Sequence, residues 1–155
     1  MIGEPTEDGR QLVVTDIDAE KGRGAELFRF DLVAGDESWW LDISPDGRRV
    51  AILRTESSPL HVLSLDGHVL REVQIKGVEN VTSFHWAADG NGFFIGTGSH
   101  NAKKVFHLDL QGHAEMLWEN LGSCCEILAL PSPDGRRLFI QTWTKDGNIA
   151  MLENF

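Results

Sequence analysis

The sequence predicts an all-β fold in which four-stranded antiparallel sheets repeat along the chain. Three observations predict it. A turn sequence recurs, apolar strands follow each turn at fixed distances, and no segment shows helical periodicity over ten or more residues. The turn is clearest at 44–49 and 132–137, where the six residues SPDGRR occur twice.

The same turn is centred on an Asp-Gly pair four times. The four Asp residues are separated by 38, 43 and 45 residues, and they are Asp8, Asp46, Asp89 and Asp134. Asp and Gly tolerate the positive φ that tight turns require. A repeat of about 40 residues is typical of propeller and solenoid proteins. Because the turns at 6–9 and 87–90 lack the Ser-Pro pair, we expect them to be looser.

A strand follows each turn, and both of its faces are apolar. Val50 and Ile52 lie four and six residues after Asp46, with Ala51 between them, and the other three turns repeat the pattern. Such strands are covered on both sides, as in sheets that stack on one another. Further strands are predicted at 26–32, 59–65, 104–110 and 148–154, return strands at 68–75 and 113–120, and strands that lead into the next turn at 38–43, 81–86 and 124–130.

The succession of SPDGRRVAI and HVLSLDG resembles the WD-like propeller repeat of the TolB type over nearly the whole chain. The resemblance implies blades of four antiparallel strands around a central channel, with the innermost strand running into the Ser-Pro-Asp-Gly turn, so that the innermost strands would be 38–43, 81–86 and 124–130. It implies one propeller-like domain over 1–155, with repeats at about 1–37, 38–80, 81–123 and 124–155. Such propellers usually form the C-terminal part of larger bacterial proteins, and the chain resembles the last part of one.

The repeats amount to about three and a half blades. The first unit is short of strands and the last ends after its third strand, so apolar blade faces would be left in water, including Leu12, Val14, Phe139 and Ile140. We therefore expect self-association, most simply as a twofold homodimer that closes a ring of roughly seven or eight blades. The alternative is that the missing blades belong to a parent chain.

Composition and charge exclude several classes of partner. The net charge of −10 repels phosphate backbones and anionic lipid, so neither nucleic acid nor a membrane is expected as a partner. There is no long apolar run and no signal peptide, and the chain as written is expected to be cytoplasmic. The adjacent Cys124 and Cys125 are interpreted as one buried and one exposed thiol. The acidic stretch 16–24 is interpreted as a solvated hairpin rather than a calcium site.

The sequence gives no sign of a catalytic centre. The six histidines are scattered without the spacing of metal ligands, so no metal and no cofactor is expected. A hydrolase elbow of the form Gly-x-Ser-x-Gly is absent, since Ser99 in the closest stretch, 96–101, lies one residue out of register. We therefore expect no enzymatic activity.

Two groups of residues are candidates for ligand binding. His85 and Trp86 end a predicted innermost strand, and Trp143 lies near a comparable position; buried packing between blades is the alternative interpretation. Arg48 and Arg136 occupy the same turn in two repeats and could form an anion-binding arc, whereas a solvated turn partnered by aspartate is the alternative.

These features favour a non-catalytic binding module that recognises a protein, a peptide or a small ligand at the channel mouth, as in the sensor part of a larger bacterial regulator. The alternative function is that of a propeller domain in a hydrolase-type enzyme whose catalytic domain is absent from this chain. Because one fold serves many functions, the fold does not decide between them.

Overall fold

The computed structural model describes residues 1–32, 39–54, 59–99, 101–121 and 126–142, and these form four antiparallel sheets without a helix. The predicted all-β fold of blade-like antiparallel sheets is confirmed. Sheet 1 contains β1 (Ile2–Pro5), β2 (Gln11–Asp18) and β3 (Gly22–Asp31); sheet 2 contains β4 (Trp39–Ile43), β5 (Arg49–Arg54), β6 (Leu60–Ser64) and β7 (Val69–Val73); sheet 3 contains β8 (Val81–Trp86), β9 (Gly92–Gly98), β10 (Ala102–Asp109) and β11 (Ala114–Leu121); sheet 4 contains β12 (Ile127–Pro131) and β13 (Leu138–Thr142).

Each sheet is a meander in which consecutive strands pair. The innermost strands β4, β8 and β12 run into the Asp-Gly turns, as the sequence predicts. The first unit is short of a strand, as expected, since sheet 1 has three strands, and the residues before its turn form the short β1, which pairs with β2 over four positions. The predicted third strand of the last unit, at 148–154, and the two cysteines lie outside the described residues.

The repeated turns have one backbone conformation, which explains why Asp-Gly recurs. Their glycines have φ between +66° and +69°, and these are Gly9, Gly47, Gly90 and Gly135. In the turn at 44–49, Asp46 Oδ1 accepts hydrogen bonds from the Ser44 hydroxyl at 2.5 Å and from the Arg48 backbone N–H at 3.1 Å. The Ser44 oxygen in turn accepts the Arg49 backbone N–H at 2.9 Å. Serine and aspartate thus satisfy backbone donors that the turn leaves unpaired.

The two turns without Ser-Pro differ from each other. In the first, the Thr6 hydroxyl donates to Asp8 at 2.6 Å and accepts the Gln11 N–H at 3.1 Å, so the predicted looseness is wrong there because threonine supplies the same hydroxyl. In the third, Ala87 has no hydroxyl, so the turn is held by the backbone bonds from Gly90 to Ala87 and from Ala87 to Gly92, and Asp89 accepts the backbone and side-chain N–H groups of Asn91.

Replacing Gly47 with alanine is expected to lower the free energy of unfolding by about 1–2 kcal/mol, because an L side chain disfavours the left-handed conformation. A Cβ at this position would have no heavy atom within 4 Å, so the loss comes from the backbone alone. Urea unfolding measures it. Gly47→Asn is the matched control and should lose less, since asparagine tolerates positive φ. Equal losses in both variants would contradict this account of the turn.

Sheets 2, 3 and 4 stack in the order of propeller blades. Residues five positions after the turn aspartate face the next sheet: Ala51 packs into the core with sheet 3, and Phe94 packs against the core with sheet 4. Residues four and six positions after it face the previous sheet, as Phe93 and Ile95 do in sheet 3. Each junction therefore joins unlike faces of two successive sheets.

Sheet 1 breaks this order because it packs on sheet 2 with the opposite face. Its Leu12 and Val14 form one core with Val50 and Ile52, so homologous faces meet. The expectation that Leu12 and Val14 are exposed at an open end is wrong, since both are fully buried.

The other face of sheet 1 explains the reversal. There Glu4 and Arg29 are the cross-strand neighbours of Val13, and Gln11 donates a hydrogen bond to Asp31 at 2.8 Å. A polar face of this kind belongs in water, and terminal repeats with a polar outer face cap stacked repeat proteins. Sheet 1 therefore turns its apolar face to sheet 2 and its polar face away from it.

His61 lies at the junction of sheets 1 and 2, where its ring centroid is 5.1 Å from that of Phe30. Burial lowers the pKa of His61 below its ordinary value, although Glu72, whose Oε1 is 3.6 Å from Nε2, acts in the opposite direction. The folded protein thus prefers the neutral imidazole.

The stability that His61 contributes is present above the ordinary histidine pKa of about 6.5 and is lost as the pH falls below it. We expect the free energy of unfolding to fall between pH 7.5 and pH 5.5, and to fall less in His61→Gln. His68→Gln, at a position whose side chain is 82% exposed, is the control and should keep the wild-type slope. An unchanged slope in His61→Gln would contradict the assignment. Urea unfolding at each pH measures it.

Candidate functional site

The free edges of the innermost strands are joined by side chains of the neighbouring sheet. The Asp42 carboxylate on β4 accepts the Trp86 backbone N–H at 2.8 Å, and the Asp42 carbonyl accepts the Trp86 indole N–H at 3.3 Å. His85 Nδ1 is 3.6 Å from the same carboxylate. Because the first strand of a sheet has unpaired backbone groups along one edge, these contacts satisfy donors that would otherwise need water.

The junction of sheets 3 and 4 uses hydroxyls for the same purpose. Thr82 Oγ1 accepts the Ile127 N–H at 3.2 Å, and Ser83 Oγ accepts the Ala129 N–H at 3.3 Å. Sequence reasoning missed Asp42, Thr82 and Ser83. The available signal was polar residues within predicted strands, Asp42 in WWLDI and the adjacent Thr82 and Ser83 in VTSFHW.

The neighbouring candidates His85 and Trp86 have different surroundings in the structure. Trp86 is only 3% exposed and packs with its ring centroid 4.3 Å from that of Phe93, which is the packing role that the sequence left as the alternative. The His85 side chain is 29% exposed and can meet a ligand without rearrangement. Ligand binding by either residue stays a prediction, and Trp143 lies outside the described residues.

Arg48 and Arg136 lie exposed on equivalent turns of sheets 2 and 4. Asn91 holds that position in the intervening sheet, so an arc of arginines would be interrupted. Asp46 and Asp134 bind the backbone N–H groups of these arginines, each at 3.1 Å. The turns therefore have the partnered, solvated form that the sequence left as the alternative.

Arg49, next to Arg48, behaves differently because its guanidinium crosses the junction between sheets 2 and 3. Nη2 donates to the Gly90 carbonyl at 3.2 Å, and the guanidinium carbon lies 4.9 Å from the centre of the Trp86 ring. Sequence reasoning treated the two arginines as a pair and missed this role. The available signal was their position, since Arg48 belongs to the turn whereas Arg49 begins the apolar strand β5, where successive side chains point to opposite faces.

A cleft of 350 Å³ opens between the turns of sheets 3 and 4. It is lined by Ala87, Ala88, Asp89, Phe94, His107, Pro133, Asp134 and Gly135. Phe94 pairs with His85 on one side and with His107 on the other, so the three rings form a row across β8, β9 and β10. The Phe94 and His107 ring centroids are 5.3 Å apart. The row that contains His85 thus continues into the cleft.

The rim of the cleft is acidic. Hydrogen bonds from the Ser132 hydroxyl at 2.6 Å and the Arg136 N–H at 3.1 Å lower the pKa of Asp134, which is therefore ionised at neutral pH. Asp89 provides the second carboxylate. An aromatic wall beside two carboxylates suits a ligand that carries positive charge next to a flat or apolar group.

Other candidate sites have simpler explanations in the described ranges. Asp18 Oδ1 accepts the backbone N–H groups of Glu20 and Lys21, both at 2.8 Å, so this acidic segment is a hairpin turn with an internally bonded carboxylate. No three His, Cys, Asp or Glu side chains within those ranges lie close enough together to hold a metal ion. The described strands and turns also contain no helix with the length and apolar character needed to cross a bilayer.

Comparison with known proteins identifies the fold and no family. No family profile matches the sequence, and no curated protein matches it. Among solved structures, a candidate 6-phosphogluconolactonase from Bacteroides fragilis is similar with a TM-score of 0.56 and 16% identity, over 90% of this chain and 46% of that one. A second candidate 6-phosphogluconolactonase, from Bacteroides uniformis, gives 0.54 and 14% over 89% and 46%.

Hydrazine synthase from Kuenenia stuttgartiensis is also similar, with a TM-score of 0.51 and 20% identity over 88% of this chain and 40% of that one. The chain thus spans less than half the length of each of these structures. At such low identity they show the fold alone. With the four sheets described above, they place the chain in the propeller-type class of all-β folds.

Proposed function

We propose that this chain is a non-catalytic binding module of a propeller protein with TolB-like repeats, and that its ligand binds in the cleft between the turns of sheets 3 and 4. The single observation that carries the proposal is that cleft, in which Phe94 and His107 stand beside the carboxylates of Asp89 and Asp134. Open clefts with an aromatic wall and a few convergent polar groups are the usual form of ligand sites.

The position of the cleft supports the same function. It lies on turns held by hydrogen-bonded aspartates, so a rigid scaffold presents it. Through Phe94 it is continuous with His85, which contacts Asp42 of the neighbouring sheet at the innermost strands. A peptide or small ligand could therefore contact the cleft and the innermost strands together, as expected of the sensor part of a larger regulator.

A selection from a random peptide library displayed on phage tests this proposal. We expect peptides that bind the wild-type protein and bind His107→Gln or Phe94→Leu at least about tenfold more weakly, a loss equivalent to one good contact. His68→Gln is the matched control, because it makes the same change on a distant exposed turn. If no peptide is enriched, or if the enriched peptides bind all variants equally, the proposal is wrong.

Lactone hydrolysis is the competing function, since two of the structures with a similar fold are candidate 6-phosphogluconolactonases. We propose that this chain lacks that activity. Among the described innermost strands, His85 and Asp42 are the two residues that most resemble an acid-base pair. Their side chains are 3.6 Å apart, and this contact joins sheet 3 to sheet 2. We expect 6-phosphogluconolactone to decay at its spontaneous rate. Faster decay that is abolished in His85→Asn would overturn the proposal.

We further propose that the outer face of sheet 4 is completed by another chain. Leu138 and Ile140 face sheet 3, so Phe139 between them points away from it and is 58% exposed. We expect a twofold homodimer through this face, with blades of a parent protein as the alternative. Light scattering at micromolar concentration should give twice the mass of the chain, and Phe139→Lys should give a monomer. A monomeric wild type, or a dimer that persists in Phe139→Lys, would contradict the dimer.

A further inference from the structure

The junction between sheets 2 and 3 already contains a bound guanidinium, supplied by the chain itself. Arg49 stands three residues after the turn aspartate Asp46. Its guanidinium donates to the Gly90 carbonyl on the turn of the next sheet and lies over the Trp86 ring. A carbonyl acceptor and an aromatic face thus hold one planar cation between two blades.

At the next junction the equivalent arginine is missing. Gly92 stands three residues after Asp89, the position that Arg49 holds in sheet 2. This position therefore has no side chain that could cross from sheet 3 to sheet 4. A Cβ on Gly92 would lie 2.5 Å from the Leu108 carbonyl oxygen and 2.8 Å from His107 Nε2, so the backbone and the imidazole leave room only for glycine. The cleft of 350 Å³ lies at this junction.

The cleft offers the same kinds of group, although its aromatic rings come from sheet 3, because Pro131 stands where sheet 3 has Trp86. Gly135 follows the turn aspartate as Gly90 does in sheet 3, and it lines the cleft. Phe94 and His107 supply aromatic rings on the face where Arg49 stands in sheet 2. Asp89 and Asp134 add two carboxylates to the rim.

We propose that this cleft binds a guanidinium group carried by a partner, as in the arginine side chain of a peptide. The inference rests on the proposed function, because it assigns a chemical class to the ligand of the same cleft. A guanidinium is planar and has five donors, so it can stack on an aromatic ring while it donates to carbonyl and carboxylate oxygens. The net charge of −10 favours the approach of a cation.

The test is a titration at pH 7.5 with N-acetyl-L-arginine methylamide, followed through the ring resonances of Phe94 and His107. The matched probe is the citrulline analogue, which has nearly the same shape without the charge. We expect the arginine probe to bind at least about tenfold more tightly than the citrulline probe, as a charge-assisted hydrogen bond and a cation–π contact are lost together. Raising the salt concentration should weaken arginine binding.

Asp134→Asn keeps an oxygen acceptor for the turn and removes the charge, so it should weaken arginine binding about fivefold or more. Asp8→Asn is its matched control, because the same change on the homologous turn of sheet 1 leaves the cleft intact. Equal binding of the two probes, or equal affinity in Asp134→Asn and wild type, would overturn the inference. The same is true if the arginine probe does not bind at all. The peptide selection tests the proposed function separately. If the enriched peptides bind in the cleft but contain no arginine, the proposed function stands and the guanidinium inference is wrong.

Discussion

Alanine in place of Trp86 is expected to lower the free energy of unfolding by about 3–5 kcal/mol. The indole is almost fully buried between sheets 2 and 3, packs against Phe93 and donates its N–H to the Asp42 carbonyl. Alanine leaves a cavity in this core, leaves the carbonyl without that donor and removes the surface on which Arg49 lies. The loss therefore combines packing, a hydrogen bond and a cation–π contact.

Urea unfolding followed by circular dichroism measures the effect of Trp86→Ala without relying on tryptophan fluorescence. Leu117→Ala is the control, since Leu117 is exposed on the outer strand β11 and its loss should stay below about 0.5 kcal/mol. If Trp86→Ala does not fold, Trp86→Phe should show a smaller, measurable loss. A Trp86→Ala variant within about 1 kcal/mol of the wild type would contradict the packing of sheet 3 on sheet 2.

The second large effect is expected at Phe28, whose replacement by alanine should cost about 3–5 kcal/mol. Phe28 lies in the core between sheets 1 and 2, against the backbone of Gly67, where a Cβ would come within 2.6 Å of the Phe28 Cβ. The size of the loss depends on the reversed packing of sheet 1, because in the order followed by sheets 2 to 4 this side chain would face away from sheet 2.

Arg29→Ala is the matched control for Phe28→Ala, since the two residues are neighbours on β3 and point to opposite faces. The Arg29 side chain is 49% exposed and pairs with Glu26 at 2.8 Å. Surface ion pairs contribute little, so this variant should lose less than about 1 kcal/mol. Similar losses in the two variants, measured by urea unfolding, would mean that both faces of sheet 1 are covered and would contradict its reversed packing.

Much of the strand order could be predicted because two local rules are visible in the sequence. Asp-Gly marks each turn, since glycine accepts the positive φ found there, and apolar residues on both faces mark strands between stacked sheets. The orientation of sheet 1 was missed because Leu12 and Val14 match Val50 and Ile52 in the repeat. Only the polar residues on the other face of sheet 1, such as Arg29, distinguish it from the sheets that follow.

The candidate site was predictable in part. The end of β8 was predicted correctly, which places His85 and Trp86 on an innermost strand, but their degree of burial depends on the neighbouring sheet. The cleft depends on a missing side chain. Gly92 replaces the arginine found in two other repeats, and such an absence is informative only once Arg49 is seen to fill the equivalent place.

Mapping of ligand-induced shifts in a two-dimensional amide NMR spectrum tests the central claim most directly. The protein would be titrated with a peptide from the selection. We expect the largest shifts on the turns at 87–92 and 132–136 and on Phe94 and His107, which surround the cleft. Shifts concentrated on the outer strands β7 and β11, with the two turns unaffected, would contradict it.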